Sequence, residues 1–172
     1  GQGPIGLLFT QLVKLAGATV ITTDKFPSRR ELSVQFGASV SLDPSENLAD
    51  AVKQVSDGRG ADLAIVAVPR TDVVSQAFAL IRPAGKILLF AQTRLDDWMS
   101  VDAGAICMQE KALIGAYSSD ITLQDECADL IFSRRVDVRP LISHRLPLEQ
   151  IGEAISLAAN PTETSLKIVV EP

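Results

Sequence analysis

Apolar residues along this chain switch repeatedly between a helical period and short unbroken runs. In IGLLFTQLVKLA (5–16), Ile5, Leu8, Phe9, Leu12 and Ala16 share one helical stripe, and Gly17 follows as a stop. TVITTD (19–24) is a β-branched run closing on an acid and predicts a short strand. PSRRELSVQFG (27–37) predicts a second helix, with Pro27 in its first turn and Gly37 beyond its end. SVSL (39–42) predicts a strand. In DPSENLADAVKQVSDG, Asp43 is the expected N-cap of a third helix, with Pro44 at N1 and Glu46 closing a capping box.

Two almost continuously apolar runs follow, ADLAIVAV (61–68) and GKILLFA (85–91), the pattern of strands buried on both faces. Between them TDVVSQAFALIRPAG predicts a helix that turns Val74, Ala77, Phe78 and Ile81 inward. KALIGAYS (111–118) reads as a strand and TLQDECADLIFSRR (122–135) as a helix whose apolar stripe includes Leu123, Cys127, Leu130 and Ile131. Beyond Val138 come a short strand, a helix from about Pro147 to Ala159 stopped by Asn160 and Pro161, and a closing strand, Leu166–Val170. This alternation predicts an α/β fold, a doubly wound parallel sheet of the Rossmann kind. Its first strand is missing ahead of Gly1. Residues 1–140 read as one domain and 141–172 as a separate strand-helix-strand segment. Leu166–Val170, β-branched and apolar on both faces, is one candidate for the central slot beside 19–23 or 61–67, from this chain or a neighbour; residues upstream of Gly1 are the competing candidate.

Composition narrows the function. The 172 residues are 47% hydrophobic and 22% charged with a net charge of -5, an ordinary globular balance. The acidic excess argues against nucleic acid as a partner, and 5% aromatics against base stacking. No apolar run reaches the ~18 residues of a membrane span. Two cysteines and one histidine make no disulfide framework, so a cytoplasmic location is expected, with no signal peptide.

The chemistry is concentrated at the start. GQGPIG fits G-x-G-x-x-G: Gly1 permits the tight turn, Gly3 lets backbone approach a pyrophosphate, and Gly6 lets the helix pack closely. The N–H groups of the helix that follows would face the phosphates. Asp24 ends the next strand at close to the ~20-residue spacing of the acid that binds the adenosine ribose. A carboxylate there accepts from ribose hydroxyls and repels a 2′-phosphate, which favours NAD over NADP. Lys25, Arg29 and Arg30 work against that preference, and Arg29 is read either as a ribose contact or as a solvated helix charge.

With these residues in place, GQGPIGLLFTQLVKLAGATVITTD resembles the medium-chain, zinc-type alcohol and polyol dehydrogenases of the sorbitol and threonine dehydrogenase branch. The likeness runs on through GADLAIVAVPRTDVVSQAFALIRPAGKILLF, KALIGAYSS, RPLISHRLPLEQIGEAI and SLKIVVEP. It implies a Rossmann domain joined to a catalytic domain, with a zinc ion in the cleft between them and 141–172 returning to the catalytic part. It implies that Gly1, Gly3, Pro4, Ile5 and Gly6 take the pyrophosphate and Asp24 the ribose. Ala67 and Val68, with Phe90 and Ala91, would line the adenine and nicotinamide ends of the cleft, and the backbone at Ala116 and Tyr117 would meet the carboxamide. It implies hydride transfer between an alcohol or polyol carbon and nicotinamide, and a homo-oligomer paired through the strand at Leu113–Tyr117.

This sequence departs from that family in two ways. Pro69 and Ala91 stand where the family often has glycine. Cys107, Cys127 and His144 are scattered singly, so the zinc ligands, commonly three at a catalytic site, are absent. No catalytic or metal-ligating residue is therefore expected here, and the chain alone is expected to be inactive, with zinc belonging to the full-length enzyme. Cys127 reads as core, His144 as structural or surface, and LDDWM around Trp98 as a loop over the cleft or as a loop without a role. Two other readings remain: an S-adenosylmethionine-dependent methyltransferase, which the glycine spacing disfavours, and a non-catalytic dinucleotide-binding or assembly module.

Overall fold

Every strand pairing in the computed structural model is parallel, and the structure describes residues 1–91 and 93–172. The elements run α1 (Pro4–Leu15), β1 (Ile21–Thr23), α2 (Pro27–Gln35), β2 (Val40–Leu42) and α3 (Leu48–Val55). Then come β3 (Ala61–Val66), α4 (Thr71–Leu80), β4 (Ile81–Leu89), α5 (Ala103–Met108) and β5 (Ala112–Gly115). The last are α6 (Gln124–Phe132), β6 (Ile142–Pro147), α7 (Ile151–Ala159) and β7 (Lys167–Glu171). The residues group into two units, one of Gly1 with Pro44–Ser119, the other of Gln2–Asp43 with Asp120–Pro172.

The first unit is built on a three-stranded sheet in the order β3-β4-β5. Val66, Val74, Ala77, Phe78, Ile81 and Ile87 form its core, so α4 buries the face its spacing predicts. Ile81 is buried as expected but opens β4 opposite Ala61 instead of closing the helix. The RPAG turn lets the strand begin early: Ala84 takes φ 59°, and its N–H reaches Gln109 O at 2.7 Å. Lys111 is buried too, its Nζ donating to Phe78 O at 3.0 Å near the C-terminal end of α4, where a helix favours cations.

The second unit holds the ladders β1–β2 and β6–β7. Leu7 of α1 is fully buried. Thr22, Ser33 and Ser41 bring β1, α2 and β2 together through a ring of hydroxyls 2.8–2.9 Å apart. Gln11 ties α1 to the chain beyond α6 by two bonds to the Asp137 backbone.

Four expectations are corrected. The cap of α3 is Asn47, whose side chain accepts from Asp50 N–H, and Asp43 instead pairs with Arg30 at 3.0 Å. Cys127 is exposed, because α6 buries no residue fully and its apolar stripe has no covering layer among the described residues. α1 buries Gly6, Leu7, Thr10 and Gln11, while Ile5 and Leu12 of the expected apolar stripe are exposed. Leu166–Val170 does not fill a slot beside β1 or β3. Its strand, β7, ladders with β6 from Ile142↔Lys167 to Pro147↔Glu171. β6, α7 and β7 make a local βαβ unit, and a near partner reached by a short crossover costs less closure entropy than a distant one.

Candidate functional site

Pro4 opens α1 at a position where a missing N–H costs nothing, and Gly3 is its N-cap. The first intrahelical bond is Leu7 N–H to Gly3 O at 3.0 Å, so the N–H groups of Ile5 and Gly6 lie ahead of it, at the electropositive end of the helix. A methyl group at Gly3 would meet no atom within 4 Å. Its φ of -68° is open to any residue, so glycine there serves access, not backbone strain. Gly6 is buried in the first turn.

Asp24 lies just beyond β1 and is 6% exposed. Its Oδ2 accepts the Gln2 N–H at 2.6 Å and its Oδ1 accepts the Phe26 N–H at 2.9 Å. The acid and the glycine turn are thus in direct contact. Two backbone donors leave each carboxylate oxygen with further acceptor capacity, which ribose hydroxyls can use.

The cations beside Asp24 are engaged with protein. Arg30 Nη1 donates to Asp24 O at 2.8 Å and to Asp43 Oδ2 at 3.0 Å. Arg29 Nη2 donates to Ser165 O at 2.7 Å and Thr162 O at 3.3 Å, and its guanidinium stands 4.7 Å from the centre of the Phe26 ring. Ser28 Oγ adds a bond to Glu163 O at 3.0 Å. Arg29, expected either at the ribose or in solvent, is held by the 162–165 turn.

In the other unit, Gly1 packs against Val68 and the Ala67 carbonyl so closely that a side chain there would collide with Val68. Val68 and Ala91 line a cavity of about 100 Å³ at the C-terminal ends of β3 and β4, with Val66, Thr71, Thr93 and Met99. Phe90 N–H and Ala91 N–H both point to Val66 O, at 3.3 and 3.1 Å. Ala116 N–H donates to Leu89 O at 3.1 Å, and Tyr117 is 84% exposed. Ala67, Phe90, Ala116 and Tyr117 are not among the residues lining that cavity.

Sequence reasoning missed Gln2 and Thr10, which are buried at the glycine turn, and Thr71 and Thr93, which line the cavity; Asp97 and Met99, which line it too, belong to the LDDWM segment. Thr10 carried a usable signal: it follows Gly6 by one helical turn, directly after the apolar run LLF. Among the described residues no group of three or more His, Cys, Asp or Glu could hold a metal ion. His144 sits in β6, its Nδ1 2.8 Å from Ser143 Oγ. No helix of the described residues is long and apolar enough to cross a membrane.

A glycine turn bonded to a strand-end acid, within parallel α/β units, defines a dinucleotide-binding class of site. The zinc-binding dehydrogenase family model matches residues 4–133, and the chain belongs to that family. It is 27% identical to an (R,R)-butanediol dehydrogenase of Neisseria gonorrhoeae, over 100% of this chain and 49% of that protein. It is 30% identical to a D-arabitol-phosphate dehydrogenase of Enterococcus avium, over 99% of this chain and 49% of that protein. A crystal structure described as a zinc-binding dehydrogenase of Sinorhizobium meliloti 1021, bound to NADP, superposes with a TM-score of 0.89 at 26% identity, covering 100% of this chain and 51% of that one. The chain spans about half the length of the curated relatives it matches. Family membership removes the methyltransferase reading.

Proposed function

We propose that this chain is the NAD(H)-binding part of a zinc-dependent alcohol or polyol dehydrogenase. One observation carries the reading: the Gln2 N–H in the glycine turn donates to the Asp24 carboxylate at 2.6 Å, which sets a ribose acceptor against a pyrophosphate turn. Gly3, Pro4, Ile5 and Gly6 present the helix N-terminus to the pyrophosphate, with Gly1 the first glycine of the motif. Asp24 takes the adenosine ribose hydroxyls and disfavours a 2′-phosphate, so NAD is preferred, although the Sinorhizobium meliloti relative was solved with NADP. The cavity bounded by Val68 and Ala91 suits a flat nicotinamide ring. When bound, the cofactor supplies the hydride acceptor or donor. These residues bind it, orient it and exclude water around it. No described residue set fits zinc, so the metal, and with it turnover of a small alcohol, belongs to parts of the enzyme outside this chain.

In this reading residues 1–140 form the dinucleotide-binding domain, 141–172 rejoin the catalytic part, and the protein is a cytoplasmic homo-oligomer. Fluorescence titration with NADH and NADPH tests it. The wild-type chain binds NADH, and Asp24→Ala weakens NADH by about tenfold or more, since bonds to a charged acceptor are the stronger kind, and NADPH by less. Equal losses for both overturn the ribose assignment, and a wild-type chain that binds neither overturns the cofactor reading.

A further inference from the structure

We propose that Gln2 and Thr10 form a latch that aims the Asp24 carboxylate, which makes both of them positioning residues for the adenosine ribose. The inference rests on the reading of Asp24 as the ribose acid.

Gln2 occupies the first variable position of G-x-G-x-x-G, where the pyrophosphate asks nothing of a side chain. Yet Gln2 is 6% exposed and Thr10 2%. Burying two polar side chains is costly unless they are paired, and these pair with each other: Thr10 Oγ1 donates to Gln2 Oε1 at 2.8 Å. Gly6 O stands 3.1 Å from the same hydroxyl, which has one proton, so the nearer Gln2 oxygen takes the larger share. The backbone N–H of Gln2 in turn donates to Asp24 Oδ2 at 2.6 Å. A continuous path therefore runs from the second turn of α1, through a side chain, to the carboxylate.

Gln2 alone in this turn can provide such an anchor. Its neighbours are Gly1 and Gly3, which have no side chains, and a Cβ at Gly3 would meet no atom within 4 Å. Glycine on both sides widens the backbone conformations open to Gln2, and a change there would swing the Gln2 N–H away from Asp24. Fixing the far end of the Gln2 side chain to α1 removes that freedom. The Phe26 N–H holds the second oxygen at 2.9 Å, so both edges of the carboxylate are set before any ligand arrives.

The test uses the whole chain, NADH and ADP-ribose as probes, and Thr10→Val, Thr10→Ser and Gln2→Met, each in the wild-type and Asp24→Asn backgrounds. Thr10→Val keeps the shape and removes the donor; Gln2→Met keeps the backbone N–H and removes the side-chain acceptor. Expected is a loss of about threefold to tenfold in NADH affinity for Thr10→Val and Gln2→Met, the worth of one hydrogen bond. Thr10→Ser restores the affinity. In the Asp24→Asn background Thr10→Val changes affinity less than about twofold, because residues acting through one group are not additive. Equal losses in both backgrounds reduce Thr10 to ordinary packing and overturn the proposal, as does wild-type affinity in Thr10→Val.

The amide proton of Gln2, observed by NMR without ligand, gives a readout independent of binding. It is expected downfield in the wild-type chain and to move upfield in Thr10→Val and Gln2→Met. No movement overturns the latch. A wild-type chain that binds neither probe overturns the cofactor reading instead, and the latch is then judged on this proton. Should Thr10→Val fail to fold, Gln2→Met decides.

Discussion

Gln11 and Asp137 meet through two antiparallel hydrogen bonds: Gln11 Nε2 donates to Asp137 O at 3.0 Å, and Gln11 Oε1 accepts the Asp137 N–H at 2.7 Å. The amide side chain of α1 thereby stands in for a strand partner to a piece of chain with no other ladder at that residue. Gln11→Leu would leave a peptide N–H and C=O unpaired beside a buried side chain. The expected cost is about 1–3 kcal/mol, read as a lower urea midpoint with an unchanged slope.

Asp137 also titrates abnormally. The Arg139 guanidinium hydrogen-bonded to it, helped by the Arg139 N–H, holds its carboxyl down at about 2. The ordinary Asp value is about 3.9, so the folded form binds its proton less readily than the unfolded chain. The contribution is therefore present above about pH 4 and is lost as pH falls through about 2. Asp137→Asn should flatten the decline in stability over that interval. Urea titrations at pH 5, 3 and 2 check it, and an unchanged decline refutes it.

Ala84 and Gly85, adjacent in the turn before the main run of β4, should respond oppositely to exchange. Ala84 has φ 59°, a conformation that costs an L-residue about 1–2 kcal/mol, so Ala84→Gly is expected to be neutral or stabilising. A Cβ on Gly85 would stand 2.7 Å from Arg82 O and 2.9 Å from Ile81 Cβ. Gly85→Ala is expected to destabilise by about 1–3 kcal/mol through overpacking. Thermal melting of the two variants side by side decides both.

Self-association should run through β5, one of the two outer strands of its sheet. Ile114 on that strand is 43% exposed, and an unpaired strand edge invites pairing. Sedimentation equilibrium is expected to show concentration-dependent dimers that Ile114→Lys weakens. A strictly monomeric wild-type chain at high concentration refutes it.

What the sequence showed was the part written in local patterns. GQGPIG, the β-branched run ending in Asp24, and the stripe of α4 depend on neighbours within a few residues, and the structure reproduces them; α1 forms where expected but buries Gly6, Leu7, Thr10 and Gln11, leaving Ile5 and Leu12 of its apolar stripe exposed. The capping of α3 was missed because DPSE and Asn47 are both good local starts, and the pairing of Asp43 with Arg30 is a tertiary fact. Cys127 was misjudged because a helical stripe says which face is apolar, not whether anything covers it. Arg29 was ambiguous for the same reason: its partners, Thr162 and Ser165, lie far along the chain. Gln2 was invisible in a motif that treats its position as free.

Ser28 and Arg29 grip the 162–165 turn through main-chain oxygens alone, those of Thr162, Glu163 and Ser165. A grip on carbonyls is blind to the side chains that carry them, so Glu163 can drift to almost any residue. Ser165 cannot, because its Oγ accepts the Thr162 N–H at 2.7 Å and shapes the turn. Nor can Arg29, which reaches both the Thr162 and Ser165 carbonyls through Nη2 while its guanidinium lies 4.7 Å from the centre of the Phe26 ring; a lysine has no planar group to stack there. Among relatives of this chain, tolerance to substitution should therefore be broad at 163 and narrow at 29 and 165.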